Sequence, residues 1–262
     1  MKNRKHLIGR LTACFVVMGL SMTAGAAIKD TKHNLGSSGT SANRTDGTAE
    51  ICVFCHTPHA SNTVVTAAPL WNKKVNSGTY TVYTSSTLDS TTAQPGGISL
   101  ACLSCHDGTQ AMDNMINQPG SGGWTSGSGA RLSGTWVGTV GADGKMNASS
   151  VAMLGTDLNN DHPIGIKYCG SATWAGGDGT NGVCTDKDFN GYYKNSSNSG
   201  GFVDGPTGTG GTREKSDMWL YAGSGGTLMV ECASCHDPHS GNATFLRTVN
   251  TGSAVCLACH DK

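Results

Sequence analysis

Aromatic and charged residues are scarce in this chain of 262 residues. Only 6% of the residues are aromatic, 14% are charged and 37% are hydrophobic, whereas 38 are glycine. A conventional apolar core is hard to fill from such a composition, which indicates that something other than side chains fills the interior. The 18 basic and 18 acidic residues balance, which argues against a nucleic-acid binder and against a charge-driven disordered protein.

Long hydrophobic runs are absent after the amino terminus. Residues 1–26 combine a positively charged start with an apolar stretch and end at Ala24-Gly25-Ala26, the small-residue form of a cleavage site. We therefore predict a signal peptide over residues 1–26 and a secreted protein. A transmembrane anchor is the alternative, but the apolar stretch is at the short end of what spans a bilayer.

Cysteine and histidine carry most of the information. The motif C-x-x-C-H occurs four times, at Cys52-Val-Phe-Cys55-His56, Cys102-Leu-Ser-Cys105-His106, Cys232-Ala-Ser-Cys235-His236 and Cys256-Leu-Ala-Cys259-His260. This spacing attaches a c-type haem, because the two thiols add to the vinyl groups and the histidine then lies under the iron as proximal ligand. Zinc sites and redox-active disulfides also use C-x-x-C pairs, but neither requires the histidine. The motifs predict four covalently bound haems.

Four further histidines match these sites in number. They are His33, His59, His162 and His239. We predict that they are the distal ligands, which makes all four irons bis-histidine. Methionine is the competing sixth ligand, and the candidates are Met112, Met115, Met146, Met153, Met218 and Met229. We expect most of these methionines to pack against haem instead.

The residues beside the distal candidates favour the same role. A proline adjoins His59, His162 and His239, and it restricts the backbone that carries each ring. Asp161 and Asp237 are candidates to accept the outer ring N–H, which raises the basicity of the ligand.

Spacing constrains which iron each histidine can bind. His56 and His59 are three residues apart, so their Cα atoms lie within roughly 10–11 Å even in an extended chain. That is too short to reach both faces of one haem, so His59 must serve a different haem from His56. The same holds for His236 and His239. We therefore predict closely spaced haem pairs that form a path for electrons.

Two haem-pair modules bracket a region rich in glycine and serine. We assign residues 27–116 to the N-terminal module, residues 229–262 to the C-terminal module, and residues 117–228 to ordered loops that carry His162. We expect mostly irregular coil around a stacked tetrahaem core, with short helices at the motifs. Few short strands are expected, and Thr79–Tyr83 is one candidate.

Two cysteines of the exported chain lie outside the motifs. We predict that Cys169 and Cys184 form a disulfide, which is the default in an exported chain. Residues 186–191 match the first half of a calcium loop, but the twelfth position is Ser197 rather than a bidentate glutamate. We favour a plain turn there, with bound calcium as the alternative.

The residues that flank the motifs limit the choice of protein family. They lie in Ile51–His59, Pro69–Trp71, Ser99–Gly108, Asp161–Ile164 and Val230–His239. In these segments the chain resembles the extracellular tetrahaem cytochromes of metal-reducing bacteria, of the filament-forming outer-membrane cytochrome E type. The resemblance implies a secreted cytochrome, outside the cell or at its surface, whose subunits polymerise. It also implies that one iron takes a histidine from the next subunit, with His59 as the first candidate and His33 as the second.

Three functions are compatible with these sites. The first is extracellular electron transfer through conductive filaments, from redox partner cytochromes to acceptors such as metal oxides. The second is a soluble periplasmic tetrahaem shuttle, which has the same ligands but does not polymerise. The third, a reductase for a small oxyanion, requires an iron with an open position. Because every iron has a candidate sixth ligand, we predict that the chain is not an enzyme.

Overall fold

A computed structural model describes residues 28–121, 131–173, 180–195 and 200–261. The predicted signal peptide lies outside these residues. Near the start of the described chain, β1 (Arg44–Thr45) pairs antiparallel with β2 (Trp136–Val137) in a small two-stranded sheet. Within the described ranges, no helix has the length and apolar character needed to cross a membrane.

A six-stranded antiparallel sheet occupies the second half of the chain. Its strands are β3 (Ile166–Lys167), β4 (Thr180–Gly182), β5 (Tyr192–Asn195), β6 (Gly200–Val203), β7 (Met218–Ala222) and β8 (Leu228–Val230). Their spatial order is β3-β8-β7-β6-β5-β4, and the sheet is curled. The prediction of mostly irregular coil with few short strands is therefore wrong. Most of this sheet lies in residues 117–228, which the sequence assigned to loops.

The composition of the strands explains this error. In β7, Met218 and Leu220 are buried and the residues between and after them are not, which is the period of two expected of a strand. In β6 every residue is buried. A Cβ atom on Gly201 would lie 2.6 Å from the carbonyl oxygen of Tyr193 in the adjacent strand β5, so glycine is needed there for the two strands to pack. A residue that usually marks a loop is thus part of the sheet.

The segment Thr79–Tyr83 is not a strand. Thr81 makes one isolated bridge to Asp157, and the backbone of Tyr80 is bonded by a side chain instead of a ladder. The Tyr80 N–H donates to Gln94 Oε1 (2.8 Å), and Gln94 Nε2 donates to the Tyr80 carbonyl (2.9 Å). The buried Tyr80 hydroxyl donates to Asp107 (2.7 Å). The segment therefore packs against the second motif rather than joining a sheet.

Each C-x-x-C-H motif lies on a short helix, as predicted. The first begins on a 3-10 turn at Cys52–Phe54. The second ends α1 (Gly97–His106), which is longer than the one or two turns expected. The third lies on α2 (Cys232–Cys235) and the fourth on α3 (Ala254–Cys259). The core of the large sheet includes Val255 and Ala258, so the sheet positions the fourth motif.

The predicted disulfide between Cys169 and Cys184 is present in this same core. Its cysteines are separated by 15 positions, and closing a loop of that length stabilises a protein by about 3 kcal/mol. Replacing both cysteines with alanine should therefore lower the melting temperature of the haem-loaded protein by roughly 6–12 °C. Calorimetry measures this change. Reduction of the unaltered protein should reproduce most of it, and a shift under about 1 °C in both cases contradicts the prediction.

Candidate functional site

The motifs present their thiols in pairs. Residues three apart on a helix lie on one face, so the two sulfurs of each motif can reach one edge of the same porphyrin. The eight thiols are free: Cys52, Cys55, Cys102, Cys105, Cys232, Cys235, Cys256 and Cys259. The backbone N–H of the histidine donates to the carbonyl of the first cysteine, as from His56 to Cys52 (2.8 Å) and from His260 to Cys256 (2.9 Å). The turn that holds the two thiols therefore also fixes the backbone of the histidine.

Successive motifs adjoin one another. Burial and then the nearby Cys105 raise the pKa of the Cys55 thiol to about 12. A hydrogen bond between Cys102 and Cys232 raises the pKa of the first thiol and lowers that of the second. Burial and then a thiol of the third motif raise the pKa of Cys259 to about 12. The four motifs therefore follow one another in space in the order in which they occur in the chain.

Backbone carbonyls orient the proximal rings of the first three motifs. Each carbonyl lies within hydrogen-bond distance of a ring Nδ1: Pro69 O for His56 (2.8 Å), Ala152 O for His106 (2.7 Å) and Thr244 O for His236 (2.8 Å). Since a carbonyl can only accept, Nδ1 carries the proton in each ring and Nε2 keeps its lone pair. This is the arrangement that an imidazole needs to bind a metal through Nε2.

Two distal candidates face proximal histidines. The ring centres of His33 and His106 are 6.3 Å apart, and those of His56 and His239 are 6.1 Å apart. Metal–imidazole bonds are about 2.0–2.1 Å long and the bonding nitrogen lies about 1.1 Å from the ring centre, so two axial imidazoles on one iron have centres about 6.2 Å apart. Both pairs thus have the separation that an iron ligated on two faces requires.

The two pairs differ in the angle between their ring planes. The planes of His56 and His239 are nearly parallel, at 15°, whereas those of His33 and His106 lie at 65°.

Burial and then His106 lower the pKa of His33 to about 4. His33 is therefore neutral at physiological pH, as a ligand must be.

The other two distal candidates, His59 and His162, are exposed. Neither ring lies against a proximal histidine in the described ranges. His162 Nδ1 lies 3.0 Å from the Pro163 carbonyl. The Asn117 amide donates to the backbone carbonyl of His59 (2.8 Å). The structure therefore brings two of the four distal candidates to a proximal ring.

One of the two candidate aspartates lies beside its histidine ring. His239 donates its backbone N–H to Asp237 Oδ1 (2.9 Å), and its Nδ1 lies 3.2 Å from the same oxygen. The hydrogen bond from the His239 side chain is the main reason why the pKa of Asp237 falls to about 2. Asp161 makes no such contact with His162 among the described residues. The competing methionine ligands Met112, Met115, Met146 and Met218 are core residues.

Residues 186–191 form a turn that supports the fourth motif. The Asp188 N–H donates to Asp186 Oδ1 (3.0 Å), and the Asn190 amide donates to the carbonyls of Leu257 (2.9 Å) and Ala258 (3.0 Å) in α3. No group of three or more metal-ligating side chains occurs in the part of the chain that the structure describes. These bonds match the plain turn, and Ser197, the twelfth position of the calcium loop, lies outside the described residues.

Two of the buried charged residues lie beside the motifs and were not predicted from the sequence. The Lys73 ammonium is fully buried and donates to the carbonyls of Ala111 (2.9 Å) and Met112 (3.1 Å). Its charge acts to lower the pKa of Cys55 in the first motif, so it lies near that haem site. A buried cation favours the reduced form of a neighbouring redox centre. No sequence pattern distinguishes Lys73 from an ordinary surface lysine.

The second buried charge, Glu231, joins the second and third motifs. Its carboxylate accepts hydrogen bonds from the Gly96 N–H (3.1 Å) and the Ser99 hydroxyl, both at the start of α1. It also forms a capping box with Ser234 at the start of α2. Burial raises the pKa of Glu231 to about 7. The side chain is 3% exposed, so the carboxylate is held without access to bulk water.

Replacing Glu231 with glutamine should change the pH dependence of stability. The folded pKa of about 7 lies above the ordinary value of 4.5, so the folded state binds the proton more tightly. Stability is then full below pH 4.5 and falls as pH rises toward 7, by roughly 3 kcal/mol. The unfolding free energy of the unaltered protein minus that of the glutamine variant should show this fall between pH 4.5 and 7. An equal pH dependence in both contradicts it.

The family comparison covers the carboxyl-terminal motifs. The family model described as "Doubled CXXCH motif" matches residues 227–262, which include the third and fourth motifs, with Cys232, Cys235, Cys256 and Cys259. No curated protein matches the chain. The free thiols, the oriented proximal rings and the two facing histidine pairs fit covalently bound haem. The paired motif indicates a multihaem c-type cytochrome that takes part in electron transfer.

Proposed function

We propose that this chain is a secreted tetrahaem cytochrome whose subunits polymerise into conductive filaments, of the outer-membrane cytochrome E type, and pass electrons to extracellular acceptors such as metal oxides. The main support for this ligand arrangement is the distance between ring centres, which is 6.1 Å for His56 and His239 and 6.3 Å for His33 and His106. In this proposal His56 and His239 are the axial ligands of the first haem, and His106 and His33 are those of the second.

The proposed chemistry is electron transfer without a substrate pocket. Bound haem c supplies a one-electron couple between Fe(III) and Fe(II). The thiols of each motif would anchor it, and two imidazoles would ligate each iron in both oxidation states. Small molecules then have no open position to bind, so the chain is proposed to have no enzymatic activity. Successive motifs adjoin one another, which supports electron transfer between haems bound to them.

The exposed His59 supports assembly through a histidine in trans. Its ring is exposed, and two exposed apolar side chains, Val64 (68%) and Leu70 (51%), lie close to it in the chain. The Thr57 N–H donates to the Leu70 carbonyl (2.9 Å), so Leu70 is held beside the His59 segment. An imidazole with an apolar margin suits a contact with the next subunit. His33 is less suited to this role, because its ring faces His106 within the same chain.

The experiment is cryo-electron microscopy of haem-staining material sheared from intact cells. Filaments whose subunit repeat contains four haems support the proposal, and mass spectrometry of the mature chain then counts the haems independently. Discrete particles retained in the periplasm contradict polymerisation and favour the soluble shuttle. Reduction of nitrite by the purified protein favours a reductase and contradicts the absence of enzymatic activity.

A further inference from the structure

A strained turn follows the third motif. Residues Ala243–Phe245 form a 3-10 turn in which Thr244 and Phe245 have φ angles of 51° and 60°. Positive φ is unfavourable for residues with side chains, and more so for β-branched or bulky ones. Two such residues in succession persist only where the surrounding structure determines them, and such strain concentrates at functional sites.

The surrounding backbone holds this turn in place. The Asp237 N–H donates to the Phe245 carbonyl (2.8 Å), and the Arg247 N–H donates to the Cys235 carbonyl (2.9 Å). The Leu246 carbonyl accepts from the Ser240 hydroxyl (2.8 Å) and also from the Asn242 amide. These bonds fasten the turn along the segment that carries the third proximal histidine.

The turn contacts one proximal imidazole, that of His236, and one distal candidate, that of His33. The Thr244 carbonyl lies 2.8 Å from His236 Nδ1 and so orients the proximal ring of the third motif. The Phe245 ring lies flat on His33, with 4.1 Å between ring centres and 9° between planes. His33 in turn faces His106 of the second motif. The two strained residues therefore contact the rings of His236 and His33 at the same time.

We propose that the Thr244–Phe245 turn is a positioning element that fixes the orientation of both His236 and His33. The carbonyl of Thr244 sets the first ring, and the flat face of Phe245 prevents rotation of the second. The inference rests on the proposed function, because it takes His33 to be an axial ligand. Phe245 itself binds no iron and acts only through His33, so it is a positioning residue.

The property to test is the flat aromatic face that Phe245 presents to His33. Replacing Phe245 with alanine in fully haem-loaded filaments should release His33 from its iron, so that carbon monoxide binding to the reduced protein rises from none to about one per chain. A high-spin signal from one iron should appear in electron paramagnetic resonance spectra of the oxidised protein. Replacement with leucine removes the flat face but keeps an apolar side chain, and it should give the same result if the alanine variant is not recovered.

Two matched variants isolate the positioning role. Phe245→Tyr retains the ring and should bind no carbon monoxide. Thr244→Gly retains the carbonyl and relieves the positive φ, so its spectra should equal those of the unaltered protein. Four low-spin irons and no carbon monoxide binding in both the alanine and leucine variants overturn the inference.

His33→Ala separates this inference from the ligand assignment. If it binds about one carbon monoxide per chain and the Phe245 variants bind none, only the positioning role fails. If His33→Ala also binds none, His33 is not a ligand. That result rejects the axial pair of His33 and His106, and with it the inference.

Discussion

Replacing His239 with alanine is expected to leave one of the four irons with a single histidine ligand. The ring of His239 faces that of His56 at 6.1 Å with nearly parallel planes. In the proposed assignment no other histidine of the described chain faces His56. The reduced variant should therefore bind about one carbon monoxide per chain.

The same change should raise the reduction potential of the opened iron. Histidine donates electron density and stabilises Fe(III), so its loss favours Fe(II). Axial ligands set potentials over a range of about 0.8 V, and the rise should be on the order of 100 mV. A spectroelectrochemical titration measures it as one step, separated from the other three, that moves to higher potential.

Asp237→Asn provides the matched control. It keeps the His239 ring but replaces the carboxylate beside Nδ1 with a weaker acceptor. We expect a smaller rise in the same potential and no carbon monoxide binding, because the iron stays six-coordinate. A His239→Ala protein that binds no carbon monoxide and titrates like the unaltered protein contradicts the pairing with His56.

Local features of the molecule were predictable from the sequence. The C-x-x-C-H motifs specify their own short helices, since two thiols must share one face and the histidine must follow at once. The disulfide followed from elimination, because Cys169 and Cys184 alone remained in the exported chain. The reach of three residues also predicts that His239 serves a different haem from His236, and this stays a prediction.

Contacts between residues distant in the chain could not be predicted from the sequence. Nothing near His33 or His106 indicates that the two rings face each other, since the fold between them decides it. The large sheet was missed because close packing at positions such as Gly201 calls for glycine, which in sequence marks a turn. Glu231 and Phe245 carried no signal either. Their importance comes from burial and from contacts with residues distant in the chain.

Replacing His59 with alanine is expected to abolish filaments while leaving each subunit folded. Its ring is exposed and lies against no proximal histidine among the described residues, so its loss removes little from the subunit itself. If His59 ligates an iron of the next subunit, each free subunit then carries one open iron and should bind about one carbon monoxide. Size-exclusion chromatography and cryo-electron microscopy of the haem-loaded protein measure the assembly.

His162→Ala is the matched control, because His162, like His59, is an exposed distal candidate whose ring lies against no proximal histidine among the described residues. We expect it to open an iron within its own subunit, so carbon monoxide binds but filaments persist. Filaments of unchanged repeat in the His59 variant, without carbon monoxide binding, contradict a ligand in trans. Loss of filaments in both variants also contradicts it, because assembly would then depend on features that the two positions share rather than on His59.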